Sequence, residues 1–165
     1  MENVVLTYNE REVLVAIVNN AQSVGDTGIE YILADVADAL NRSIHSVTGT
    51  AASLRKKGLI SCFNGLTYFD GYVHDTGLEM AEDINKDKSY NSLKEKHSDT
   101  MLLLRVRDCY QAYHEDADNL SKVTGYDVEP NSILGKVSEF KANQLDIILP
   151  KIVRAGYRVA ICDKL

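Results

Sequence analysis

At 165 residues the chain has room for one ordinary domain or two small ones, and a make-up of 45% hydrophobic and 25% charged residues builds cores rather than disorder. The formal net charge of −6 is uneven: residues 1–90 hold 7 Lys and Arg against 13 Asp and Glu, whereas residues 91–165 hold 11 of each. An acidic balance speaks against tight non-specific nucleic-acid binding, which depends on neutralising phosphates, but leaves room for a local basic face. No apolar run is long enough to cross a bilayer, and residues 1–6 lack a basic n-region and a long apolar h-region. The expectation is a cytoplasmic protein without membrane contact. Cys62, Cys109 and Cys162 are odd in number and widely spaced, the pattern of reduced thiols.

Thr7-Tyr8-Asn9-Glu10 fits a capping box, and Val13, Leu14, Ile17 and Val18 follow at helical spacing to about Asn20. After a loop containing Gly25, Thr27-Gly28-Ile29-Glu30 is a second match. Ile29, Ile32, Leu33, Val36, Ala37 and Leu40 then draw an apolar stripe along a second helix. Ser43 is a good N-cap for a third helix, expected to bury Ile44, Val47, Ala51 and Leu54 and to stop at Gly58. Residues 59–63 and 66–69 flank Asn64-Gly65, a strong two-residue hairpin signal. Three helices followed by a two-stranded ribbon make a winged helix-turn-helix pattern.

Residues 53–60, Ser-Leu-Arg-Lys-Lys-Gly-Leu-Ile, resemble the end of the recognition helix and first wing strand of MarR-like regulators. Residues 73–80, Val-His-Asp-Thr-Gly-Leu-Glu-Met, resemble the segment by which that family leaves the wing. The resemblance covers residues 5–84 and implies a third helix that enters the major groove. The positions left over from the core are His45, Ser46, Thr48, Gly49, Thr50, Ser53, Arg55 and Lys56, and with Ser43 and Lys57 they supply the DNA-contact candidates of this half. The competing reading is a solvated C-terminal turn of Arg55, Lys56 and Lys57 that compensates the helix dipole, on a module that docks protein.

Residues 85–98 are polar and charged and read as a linker or a loosely attached helical tail. Residues 101–106, Met-Leu-Leu-Leu-Arg-Val, read as a buried strand that meets an Arg-Asp-Cys-Tyr turn and passes into a helix. That helix carries Tyr110, Tyr113, Ala117 and Leu120 on one face, and Asp108 reads as its N-cap. An extended stretch at 126–129, a strand at 133–137, a helix over 145–153 bent at Pro150 and a closing strand at 157–162 complete a β-α-β-β-α-β order.

These residues carry a second resemblance. Residues 99–110, His114-Glu115-Asp116-Ala117 and residues 145–163 look like the N-terminal, mismatch-recognition domain of MutS, over 99–165. In that family a Gly-Asp-Phe-Tyr-Glu motif places a Phe wedge and a hydrogen-bonding Glu against a mispaired base. The corresponding residues are Arg107-Asp108-Cys109-Tyr110-Gln111. A wedge offsets an unstacking cost of about a few kcal/mol with a broad apolar ring, and a cysteine has no such ring. Gln111 keeps hydrogen-bonding capacity without the carboxylate. The mismatch-reading mechanism is therefore expected to be degenerate, with Arg105, Arg107 and Gln111 as remaining DNA candidates. Lys136, Lys141, Lys151, Arg154 and Arg158 could extend a basic surface, against the reading that they are balanced surface charges. There is no phosphate-binding G-x-x-x-x-G-K-[ST] loop.

His45, His74, His97 and His114 have no metal-ligand spacing, and Cys109 has no identifiable partner base. The expectation is an α+β chain without cofactor or metal: a winged helix-turn-helix at 1–84, a linker at 85–98 and a MutS-N-like mixed sheet domain at 99–165. Its expected function is that of a non-enzymatic DNA-binding accessory or regulatory protein acting on double-stranded DNA, of phage or mobile-element origin. The alternative is a protein-interaction or structural module with no DNA contact, and a protein partner or homodimer is left open by both readings.

Overall fold

The structure, a computed structural model of the chain, describes residues 4–24, 27–63 and 68–163. It divides into two compact units, Met1–Asn85 and Lys86–Leu165. Among the described residues no helix is long and apolar enough to cross a membrane.

In the first unit, helix α1 (Tyr8–Val24) starts on a reciprocal capping box. Thr7 N donates to Glu10 Oε2 at 2.7 Å and Glu10 N donates to Thr7 Oγ1 at 3.3 Å. Val13, Leu14, Ile17, Val18 and Ala21 bury one face of α1. The second capping-box match does not start a helix. Glu30 and Tyr31 form strand β1, paired antiparallel with strand β3 (Gly71–Val73), and Thr27 Oγ1 donates to the Glu30 carboxylate instead. Helix α2 (Leu33–Ala39) begins later, with its first amides met from afar: Ile32 N donates to Asn20 Oδ1 and Leu33 N to Asp70 Oδ2, each at 2.7 Å.

Helix α3 (Ile44–Lys56) is capped by Ser43, whose side chain accepts from Ser46 N. It buries Val47, Thr50, Ala51 and Leu54; Ile44, expected inside, is 42% exposed on the first turn. Strand β2 (Ile60–Cys62) pairs antiparallel with β3, giving the order β1-β3-β2. The strand that pairs with β2 is Gly71–Val73; Tyr68 and Phe69, expected in that strand, lie before it, and the Asn64-Gly65 signal and residues 66–67 lie outside the described residues. A Cβ on Gly71 would stand 1.9 Å from the Ser61 carbonyl oxygen and 2.5 Å from the Tyr31 hydroxyl, so close strand approach demands glycine there.

Helix α4 (Asp75–Lys96) runs through the residues expected as a linker. Its C-terminal part belongs to the second unit, where Tyr90 is 3% exposed in a cluster with Leu102, Leu104, Tyr113 and Leu134. Strand β4 (Thr100–Val106) turns at Arg107-Asp108 into strand β5 (Cys109–Tyr113), and only then does helix α5 (His114–Thr124) begin. The expected strand-to-helix junction is a β-hairpin, and Tyr110 and Tyr113 sit on a strand. Period two sends Tyr110 and Tyr113 to opposite faces, where period 3.6 would have joined them.

Strands β6 (Glu129–Asn131) and β7 (Gly135–Lys141), a 3-10 turn (Ala142–Gln144), helix α6 (Leu145–Arg154) and strand β8 (Arg158–Cys162) follow. The sheet order is β6-β7-β5-β4-β8, antiparallel except for β4 with β8. One face packs Met101, Leu103, Tyr110, Ala112 and Phe140 against Leu120 of α5 and Ile148 and Ile152 of α6. Asp116, 3% exposed, holds α4 to the sheet: it accepts from Tyr90 Oη at 2.9 Å, Lys94 Nζ at 2.8 Å and Leu102 N at 3.0 Å. Burial, followed by the Asp116 charge, pushes the Tyr90 phenol up from its ordinary range.

Candidate nucleic-acid interface

On α3, helical spacing brings most of the candidates to one side. His45, Ser46, Thr48, Arg55 and Lys56 are exposed, and Ser43 stands at the N-cap. Thr50 and Ser53 instead face α1: Thr50 Oγ1 accepts from Asn9 Nδ2 at 2.8 Å, and Ser53 Oγ donates to Glu10 Oε1 at 2.7 Å. Lys57 is also directed inward. Its ammonium donates to Glu10 Oε2 and to the Val5 carbonyl, each at 2.7 Å. Burial alone would raise the Glu10 carboxyl, yet the bonds from Lys57, Ser53 and Thr7 outweigh it and hold the group down to about 2. Lys57 is therefore committed to folding, leaving Arg55 and Lys56 as the exposed cations of the last turn.

In the second unit, the β4–β5 turn places Arg105 and Arg107 together. Arg105 lies with its guanidinium carbon 5.5 Å from the Tyr110 ring centroid, and its Nε donates to the Arg107 carbonyl at 3.2 Å. The ring is fixed from beyond by a 2.7 Å hydrogen bond from Tyr110 Oη to Asp163. Arg107 has φ +54°, a left-handed conformation that glycine adopts more cheaply, at the first of two turn residues. Asp108 caps no helix; its carbonyl accepts from Ala142 N at 2.8 Å and pins the turn to the start of the 3-10 segment.

Gln111 does not join the arginines. Arg105 pairs in register with Tyr110, so alternation puts Gln111 on the other face of the sheet. Both ends of its amide are engaged: Nε2 donates to Glu139 Oε2 and Oε1 accepts from Tyr113 Oη, each at 2.8 Å. Cys109 is half-buried on that second face, opposite Lys141. Of the other basic residues, Lys136 is paired with Asp118 at 2.7 Å and Arg158 with Asp99 at 2.6 Å, while Lys141, Lys151 and Arg154 are exposed. Among the described residues no group of three or more His, Cys, Asp or Glu side chains could hold a metal ion.

The outer face of the β2–β3 ribbon carries aromatic residues that no sequence motif marks. Phe63, Tyr72 and His74 form a row there, with ring centroids 5.6 Å and 5.3 Å apart. The signal was present in the alternation Tyr72-Val73-His74 once β3 is placed at Gly71–Val73.

Residues 86–165 match the family model for MutS domain I. The chain is also similar to the DNA mismatch repair protein MutS of Cytophaga hutchinsonii, 43% identical over an 83-residue alignment that covers 47% of this chain and 10% of the relative. MutS of Flavobacterium johnsoniae is 38% identical over 92 residues, covering 53% of this chain and 10% of the relative. MutS of Porphyromonas gingivalis is 40% identical over 82 residues, covering 47% of the chain and 9% of the relative. The matched segments therefore span about a tenth of the length of these curated relatives. The match takes in residues 86–98, in line with the docking of Tyr90 and Lys94 onto the sheet.

Proposed function

We propose that this chain is a non-enzymatic DNA-binding accessory or regulatory protein, in which a winged helix-turn-helix of MarR-like type precedes a MutS-domain-I module that has lost its mismatch wedge. The observation that carries the reading is the match of residues 86–165 to MutS domain I, a domain of proteins named for DNA mismatch repair. The element order α1-β1-α2-α3-β2-β3 and the exposed, Ser43-capped α3 support the first half of it. Arg55 and Lys56 on α3, and Arg105 and Arg107 at the hairpin, supply phosphate contacts. Cys109 and the internally bonded Gln111 supply no wedge and no free carboxylate, so duplex is bound without preference for a mispair.

Titration against matched duplex, mismatched duplex and single strands over a salt series tests this. Affinity should fall with salt and be equal for the two duplexes. Absence of binding even at low ionic strength would overturn the reading in favour of a protein-docking module, which the acidic first half and the inward-turned Lys57 favour. A marked mismatch preference would overturn the account of Cys109.

A further inference from the structure

We propose that the outer face of the β1-β3-β2 sheet is a stacking platform for unpaired bases of single-stranded DNA, with Tyr72 at its centre. The inference rests on the reading of the first unit as DNA-facing and names a substrate class for it. Tyr72 is on the middle strand, in register with Glu30 on one side and Ser61 on the other, and its neighbours Gly71 and Val73 point inward. Phe63 and His74 flank its ring at 5.6 Å and 5.3 Å, tilted by 45° and 34°. The rings are partly open to solvent: Phe63 is 38% and Tyr72 36% exposed.

Three features distinguish this row from aromatics that merely fill space. First, its His74 end is fixed, with Nε2 2.7 Å from Ser61 Oγ and Nδ1 2.8 Å from the Gly58 carbonyl oxygen. Gly58 follows Lys57, the C-cap of α3, so the His74 end of the row is tied to the C-terminal end of the helix whose last turn carries Arg55 and Lys56. A strand whose phosphates meet those cations would lay its bases on the rings. Second, the two acids near the row are each engaged, Glu30 at the surface and Asp70 inward. The Glu30 carboxylate accepts from Thr27, and Asp70 Oδ2 accepts from Leu33 N. Third, the row offers ring faces with few hydrogen-bonding groups, the arrangement that binds bases by stacking without reading sequence. Paired bases keep their faces inside the duplex; single-stranded DNA exposes them.

The chain contains no tryptophan, so Tyr72→Trp installs a single indole at the centre of the row. Adding oligo-deoxythymidine should quench its emission, and Tyr72→Ala should weaken binding of that oligonucleotide about tenfold while Tyr72→Phe retains it. The Phe variant keeps the ring in the strand and separates stacking from misfolding. An unquenched indole, alongside duplex binding still sensitive to Arg55→Ala with Lys56→Ala, would overturn the platform and leave the DNA-binding function standing. Failure to bind any DNA would overturn both. Indole emission that changes with protein concentration in the absence of DNA would overturn the platform by assigning the face to self-association.

Discussion

The α3 face and the β4–β5 hairpin tip are both exposed and both carry two cations, yet they handle their candidate residues in opposite ways. On α3 a period of 3.6 gathers His45, Ser46, Thr48, Arg55 and Lys56 outside, while Thr50, Ser53 and Lys57 rotate inward onto Asn9 and Glu10. At the hairpin a period of two splits the set, leaving Arg105 over Tyr110 on one face and Gln111 with Glu139 on the other. Adjacency in sequence therefore defines an interface only through the period of the element that carries it. In each unit one carboxylate is a buried anchor: Glu10 in the first, Asp116 in the second.

Breaking those anchors separates the two regions most strongly. Asp116→Ala leaves Tyr90 Oη, Lys94 Nζ and Leu102 N without their shared acceptor. It should destabilise the second unit by about 3 kcal/mol, read as a shifted urea transition. A shift below about 1 kcal/mol would mean that α4 docks by apolar contact alone. Glu10→Gln should cost less, about 2 kcal/mol, because the amide can still accept at the cap from Thr7 N but loses the charged bond to Lys57. Its pH signature is specific. The folded carboxyl sits at about 2, below its ordinary 4.5, so the stabilisation is full above 4.5 and drains away as the pH falls towards 2. Thermal melts of the Gln variant should lose that part of the acid slope; an unchanged slope would assign it to other carboxylates.

Local chemistry made some of this legible from the chain alone. The Thr7–Glu10 box, the Ser43 cap and the apolar run of β4 depend on neighbours a few residues apart, and they stand where the sequence put them. Gly125, at φ +77°, ends α5 as a left-handed cap, a position that glycine fills without strain. Thr27-Gly28-Ile29-Glu30 misled because a local capping pattern lost to pairing with β3, some forty residues on. Tyr90 and Lys94 read as linker because the acceptor that orders them, Asp116, lies more than twenty residues downstream. Arg107 concealed the hairpin, since a turn with positive φ ordinarily announces itself by glycine or asparagine. In the candidate site, the exposed residues of α3 were legible from helical period, whereas the inward rotation of Lys57 depended on a carboxylate forty-seven residues away.

Lys57 against its two neighbours sharpens the comparison within one helical turn. Arg55→Ala with Lys56→Ala should reduce the magnitude of the salt slope by about 2 and leave the melting temperature nearly unchanged. Lys57→Ala should do the reverse, lowering stability by about 1–2 kcal/mol and preserving the slope, because its charge is spent on Glu10. Equal effects on the slope from all three would return Lys57 to the interface.

Arg107→Gly carries the smallest expected effect and separates backbone from charge at the hairpin. At φ +54° an arginine holds a conformation that costs an L-residue roughly 1–2 kcal/mol, and glycine removes that cost while adding unfolded-state entropy. The net should be a gain of about 0.5 kcal/mol, in the direction opposite to a typical surface substitution. Arg107→Asn tolerates the same backbone without the charge, and Arg107→Lys keeps the charge with the strain. If the turn is held for its cation, Gly and Asn should both shorten the salt slope by about 1 and Lys should retain it. If none of the three moves the slope, the second unit presents no phosphate contact at this hairpin, and the strained arginine loses its functional explanation while the stability ordering Gly above Lys remains as the test of the turn itself.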